Sequence, residues 1–142
     1  MSMSTKRATN IDDLSVRAQA YGIPGKRIDG QDVFEVYEAV KEAKEHARKN
    51  GPYLLISETY RYLGHSKSDA NAYRTKEEIN EWKKKDPIPR MRSYLEENKL
   101  FKSEELDEME AKAKQTIEDA VEFANNSPDP KPEDLPNDVY AE

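Results

Sequence analysis

Tyr53-Leu54-Leu55-Ile56-Ser57-Glu58-Thr59-Tyr60-Arg61-Tyr62-Leu63-Gly64-His65-Ser66-Lys67-Ser68-Asp69-Ala70-Asn71-Ala72-Tyr73-Arg74-Thr75 is the stretch around which this chain is organised. It opens on an apolar run, rich enough in Leu, Ile and Tyr to read as a buried strand. It then turns polar and carries no helical or alternating period until a new helix starts at Thr75. A buried strand that delivers Arg, His and Ser into a loop at its C-terminal end is where open α/β sheets place their ligand chemistry.

Working outward, the segment upstream supplies what such a strand needs. Asp32 is an N-cap with Glu35 at N3, and Val33, Val36, Tyr37, Val40, Ala43 and Ala47 follow as one apolar stripe before Gly51-Pro52 ends the helix. His46 falls on its polar side and reads as solvated. Ahead of it, Lys26-Arg27-Ile28-Asp29 is a short strand candidate, so strand, helix and strand form one βαβ unit with a right-handed crossover. Further upstream, Leu14, Arg17, Ala18 and Tyr21 repeat at helical spacing, with Gly22 as the stop.

Downstream come three helices with explicit boundaries. Thr75 and Glu78 form a capping box for a short helix that buries Ile79 and Trp82. Asp86 caps the next with Pro87 at N1, and Asn98 closes it. Ser103 caps the last, with Leu106, Met109, Ala113, Ile117, Ala120 and Ala124 along one side. Pro128, Pro130, Pro132 and Pro136 then rule out a helix and predict an extended tail over 127–142, which Leu135, Val139 and Tyr140 pin to a surface.

The strand at 54–56 has the continuous hydrophobicity of a parallel strand covered on both faces, yet the chain offers it one short partner. A sheet of two strands is not stable by itself. The sequence therefore reads as an incomplete α/β domain whose sheet another polypeptide or an upstream segment completes.

Composition narrows the function classes. Charged residues make up 37% of the 142 residues against 35% apolar, and mean hydropathy is -1.06. A net charge of -6, with basic residues interleaved with Glu, argues against a nucleic-acid partner. The absence of cysteine excludes disulfides and a thiol nucleophile, and fits a cytoplasmic location. No apolar run approaches the ~20 residues of a membrane span, and no metal-ligand spacing stands out.

At Thr59-Tyr60-Arg61-Tyr62-Leu63-Gly64-His65-Ser66-Lys67-Ser68-Asp69 and Tyr73-Arg74-Thr75 the sequence closely resembles the alpha subunits of pyruvate dehydrogenases, oxidoreductases that are the decarboxylating components of 2-oxo acid dehydrogenase complexes. The likeness extends to Tyr21-Gly22-Ile23-Pro24-Gly25, Asp29-Gly30-Gln31-Asp32, Lys84-Lys85-Asp86-Pro87-Ile88 and Ala120-Val121-Glu122-Phe123-Ala124. It implies the C-terminal part of a thiamine-diphosphate-binding three-layer α/β/α fold over residues 1–126, with 127–142 as a Pro-rich acidic tail. The family's Gly-Asp-Gly…Asn-Asn motif, which binds magnesium and the cofactor diphosphate, is not in this sequence.

The resemblance implies an α2β2 assembly holding thiamine diphosphate with magnesium, with a beta subunit, the N-terminal part of the alpha subunit and a lipoyl acyltransferase component as partners. It implies pyruvate decarboxylation, in preference to acetoin or a branched-chain oxo acid, with acetyl transfer to lipoyl groups. His65 would donate to the cofactor diphosphate and Arg61 would be a second anchor. Ser66, Asp69, Tyr73 and Arg74 would order the loop, with Asp69 pairing to an arginine. Ser66 occupies the position phosphorylated in animal relatives, whereas a second such position is Ala72 here. The alternative reading is a non-catalytic remnant that serves in assembly.

Overall fold

The computed structural model describes residues 3–66, 68, 69, 71–137 and 139. In chain order they form α1 (Thr5–Ala8), a 3₁₀ segment (Leu14–Tyr21), β1 (Gly25–Asp29), α2 (Val33–Asn50), β2 (Leu54–Glu58), α3 (Lys76–Lys83), α4 (Pro87–Glu97), α5 (Ser103–Asn126) and a 3₁₀ turn (Pro132–Asp134). The chain divides into two compact units, Met1–Tyr94 and Leu95–Glu142.

In the first unit β1 and β2 pair in parallel, from Gly25 opposite Leu54 to Asp29 opposite Glu58, with α2 as the crossover. The expected βαβ unit is present. Alternation along β1 separates two faces. Lys26 and Ile28 point to the α2 side, where Lys26 Nζ meets Glu42 Oε2 at 2.7 Å. Gly25 lies on the other side, so close to the 3₁₀ segment that a Cβ there would meet the Ser15 carbonyl oxygen at 2.5 Å and Ala18 Cβ at 2.6 Å. The result is a thin helix–sheet–helix sandwich. Its buried apolar residues are Ala18, Ile28 and Ala39.

Four expectations for this unit are corrected. Leu54, Leu55 and Ile56 are half-buried rather than buried, because among the described residues only β1 flanks them. On α2 the packed stripe is Val36, Ala39, Ala43 and His46, rotated from the stripe read off the sequence, so that Val33, Tyr37 and Val40 are exposed. The small Ala39 lets the helix sit close to the strands. His46 is accordingly half-buried, its ring edge-on to Tyr53 with centroids 5.6 Å apart. Finally, Leu14–Tyr21 winds as 3₁₀ and leaves Tyr21 exposed, although Gly22 does stop it in the left-handed region at φ 65°.

The N-caps agree with the sequence, although at Thr75 the hydrogen bonds give the cap and not the full box, since the Glu78 carboxylate accepts from the Tyr60 hydroxyl. Asp32 Oδ1 accepts from the Phe34 and Glu35 amides at 2.9 and 3.1 Å, Thr75 Oγ1 from the Glu78 amide at 3.1 Å, and Asp86 Oδ1 from the Ile88 amide at 2.9 Å. Each such cap contributes about 1 kcal/mol. Arg90 on α4 reaches Asp32 at 2.6 Å and Asp29 at 3.6 Å, which fixes α4 against the β1–α2 turn.

In the second unit α5 begins at Ser103 with Lys102, not Ser103, as its N-cap. The Lys102 amide donates to Glu105 at 2.8 Å, and the Ser103 hydroxyl instead donates to Glu96 at 3.0 Å. Leu106 is buried, while Met109, Ile117, Val121 and Phe123 are exposed. The tail contains one 3₁₀ turn where a wholly extended run was expected, and Leu135 and Val139 are exposed rather than pinned. Tyr140 lies outside the described residues.

The two strand ends meet tightly at Gly30, whose amide donates to the Glu58 carbonyl at 2.9 Å. A Cβ at Gly30 would lie 2.6 Å from both that carbonyl oxygen and Thr59 Cγ2. Gly30→Ala is therefore expected to cost about 1–3 kcal/mol, the usual scale of overpacking. Urea unfolding of the pair of proteins reads this directly, and an unchanged midpoint would mean the strand ends part without strain.

Candidate active site: the loop after β2

β2 ends at Glu58, and the described residues between Thr59 and Arg74 form a loop that returns at Thr75 to start α3. Its base is anchored from two directions. Gln31, only 5% exposed just past the end of β1, donates from Nε2 to the Tyr62 hydroxyl at 2.8 Å, while its own amide is held by Asp29 Oδ1 at 2.9 Å. Tyr60 stacks on Trp82 of α3, with centroids 5.0 Å apart and planes 8° from parallel, and its hydroxyl donates to Glu78 at 3.0 Å. Burial is the leading cause that raises the Tyr60 phenol above its ordinary value, so it stays protonated and able to donate.

Arg74 closes the loop. Its guanidinium donates to three successive carbonyls: Arg61, Tyr62 at 3.1 Å and Leu63 at 2.9 Å. It also donates from Nη2 and Nε to Asn71 Oδ1 at 2.7 and 3.1 Å. The same group lies 5.1 Å from the Tyr60 ring centroid and 5.5 Å from that of Tyr73, close enough for cation–π attraction. A planar fork of five donors suits this gathering of carbonyls, and a lysine could not reproduce it. Asn71 holds φ at 56°, a left-handed position that asparagine tolerates better than most residues.

Asp69 organises the tip. Its Oδ2 accepts from the His65 amide at 2.8 Å and the Tyr73 hydroxyl at 3.1 Å, and its Oδ1 from the Asn71 amide at 2.9 Å. The expected pairing with an arginine gives way to these bonds. The His65 amide first and the Asn71 amide second hold the carboxyl below its ordinary value, with Arg74 contributing only its more distant charge. Gly64 permits the approach, since a Cβ there would lie 2.8 Å from Asp69 Cβ.

Arg61 and His65 are thereby brought together on the exposed rim, Nη1 to Nδ1 at 3.3 Å. An arginine can only donate, so Nδ1 accepts and the imidazole proton sits on Nε2. The pair then presents guanidinium N–H groups and one imidazole N–H outward. That donor set fits an anion such as a diphosphate. It offers nothing to a divalent metal, and no group of three or more His, Asp or Glu among the described residues could hold one.

The sequence-predicted residues thus fall into three sets. His65 and Arg61 meet; Asp69, Tyr73 and Arg74 interlock; Ser66 stands aside, its hydroxyl 3.2 Å from that of Ser68. Lys67 and Ala70 lie outside the described residues. Sequence reasoning missed Gln31, Asn71, Tyr60 and Tyr62. The alternating tyrosines of Tyr-Arg-Tyr were a usable signal, but Gln31 gave none, because its partner lies 31 positions away.

Because Asp69 is depressed in the folded loop, its contribution is fully present above the ordinary carboxylate value near 4 and is lost as pH falls through the lower folded value. Amide-proton titration should show His65 and Asn71 losing protection together in that acid window, and Asp69→Ala should abolish the step. Arg74→Lys should raise hydrogen exchange across residues 61–63 while β1 and β2 keep theirs; equal exchange in both proteins would remove Arg74 from the role of loop tie.

The profile of the dehydrogenase E1 component family matches residues 1–133. Over 141 residues the chain is 40% identical to the pyruvate dehydrogenase E1 component subunit alpha of Rickettsia bellii, covering 99% of this chain and 43% of that protein. It is 42% identical over 141 residues to the chloroplastic pyruvate dehydrogenase E1 component subunit alpha-3 of Arabidopsis thaliana, covering 99% of this chain and 33% of that one. A third relative, the pyruvate dehydrogenase E1 component subunit alpha of Porphyra purpurea, is 34% identical over 141 residues, covering 99% of this chain and 41% of that protein. The chain corresponds to a C-terminal portion of these alpha subunits and spans well under half their length. With its parallel βαβ unit and the Arg61–His65 loop at the strand end, the chain belongs to the dehydrogenase E1 component family.

Proposed function

We propose that this chain is the C-terminal portion of the alpha subunit of a thiamine-diphosphate-dependent 2-oxo acid dehydrogenase, acting on pyruvate and passing the acetyl unit to lipoyl groups. The observation that carries the reading is the Arg61–His65 pair, 3.3 Å apart on an exposed loop whose Asp69 and Arg74 are bound to backbone groups. The relatives, all named for pyruvate, support the substrate.

When bound, thiamine diphosphate supplies the carbanion chemistry of decarboxylation. The chain's own part is to bind and orient. Arg61 and His65 Nε2–H would hold the diphosphate, Asp69 and Arg74 keep those donors in place, and Gln31 holds the loop base against the sheet. Magnesium would rest on ligands outside this chain. The N-terminal part of the alpha subunit would complete the sheet beside β1 and β2, and the beta subunit would close the cofactor site within an α2β2 assembly. A lipoyl acyltransferase would accept the product. The cysteine-free sequence suits a cytoplasmic enzyme.

The chain mixed with its N-terminal counterpart and a beta subunit, at saturating cofactor and magnesium, should bind thiamine diphosphate and release carbon dioxide from pyruvate. The chain alone should do neither. A mixture that assembles yet stays inert would leave the remnant reading. In the active mixture His65→Ala should weaken cofactor retention at least tenfold, through loss of a charge-assisted hydrogen bond worth about 1.5–3 kcal/mol, and full retention would take His65 out of the site.

A further inference from the structure

Arg61 sits between two tyrosines that are held from different elements. The Tyr62 hydroxyl accepts from Gln31, just past the end of β1. Tyr60 is gripped by α3 at two points. Its ring stacks on Trp82, and its hydroxyl donates to Glu78 at 3.0 Å. Glu78 and Trp82 are four positions apart, so they lie on one face of the helix. The rings of Tyr60 and Tyr62 come within 6.2 Å of each other, and Arg61 between them stands exposed.

The stack carries a cation at each ring. Lys85 Nζ lies 5.0 Å from the Trp82 centroid, and the Arg74 guanidinium 5.1 Å from that of Tyr60, both within reach of cation–π attraction. Two stacked rings fix the tilt of the Tyr60 phenol, and the bond to Glu78 fixes its far end. An aliphatic side chain at position 82 would fill the space without setting that plane. With both tyrosines fixed, the backbone of Arg61 is held between them, and Arg74 also donates to its carbonyl. The Arg61 guanidinium is thereby kept 3.3 Å from His65 Nδ1.

We propose that Trp82 and Glu78 of α3 are positioning residues for the anion-binding rim, orienting Arg61 through Tyr60 and touching no ligand themselves. This rests on the reading of Arg61 and His65 as diphosphate anchors. The clamp sets the fraction of loops that present both donors together, and apparent cofactor affinity scales with that fraction. Turnover of the cofactor-saturated enzyme does not depend on it.

The test uses the assembled enzyme of this chain, its N-terminal counterpart and a beta subunit, with thiamine diphosphate as the probe. Trp82→Leu should raise the half-saturating cofactor concentration about fivefold, the scale of one aromatic pair, with kcat at saturating cofactor unchanged. Trp82→Phe should restore it. Tyr60→Phe keeps the stack and removes only the bond to Glu78; it should raise that concentration about threefold, the scale of one hydrogen bond. In an Arg61→Ala background both effects should vanish, because a residue that acts through Arg61 has nothing left to position. Equal affinity of the Leu and Phe variants at position 82 would reduce Trp82 to packing and overturn the proposal. An undiminished effect in the Arg61→Ala background, or a loss in kcat in place of affinity, would do the same. An inert mixture, or an Arg61→Ala enzyme of unchanged affinity, brings down the diphosphate reading and this inference with it. Affinity that depends on Arg61 but ignores Trp82 and Tyr60 overturns this inference alone. Circular dichroism checks the fold of Trp82→Leu; if that variant does not fold, Tyr60→Phe decides, and unchanged affinity there overturns the proposal.

Discussion

The parallel pairing of β1 with β2 is the constraint on which the rest depends. Parallel strands demand a crossover, and α2 supplies it. Parallel strands also end on the same side, so Asp29 and Glu58 are neighbours although 29 positions separate them. Everything at the candidate site grows from that coincidence of strand ends. Gly30 lets the backbones close, Asp29 positions Gln31, and Gln31 in turn holds Tyr62 at the root of the loop.

Beyond the strand ends the loop keeps its shape by polar bonds rather than by burial. Asp69 gathers amides and Arg74 gathers carbonyls, so an anion and a cation each satisfy backbone groups that a loop without regular structure leaves open. The two halves of the loop therefore depend on each other, and the side chains of Arg61 and His65 meet on its exposed rim. This division of labour is what makes the rim suited to an anionic ligand: the structural charges are spoken for, and the presented ones are not.

A second consequence follows from how little the sheet covers. Among the described residues, three buried apolar residues in the first unit and one in the second make a small core. Apolar side chains stand at the surface instead, among them Val33, Tyr37 and Val40 on α2 and Met109, Ile117 and Val121 on α5.

Much of this was legible in the chain itself. The βαβ unit, the helix starts at Asp32, Thr75 and Asp86, and the polar loop after the strand are written in local signals: caps, glycine stops and the change of hydrophobic period. Those signals act over three or four residues, and the sequence determines them without help. That Arg61 and His65 fall on one loop was legible in the loop's own wording; that they meet was not. What only the tertiary structure decided were matters of rotation and of distant partners. It turned α2 so that Ala39 and not Tyr37 meets the strands, because a small residue allows close approach where two stripes compete. It sent Asp69 to backbone amides rather than to an arginine, and it brought Gln31 to Tyr62 across the crossover. A contact between residues far apart in sequence is fixed by the path of the chain between them, and no local pattern records that path.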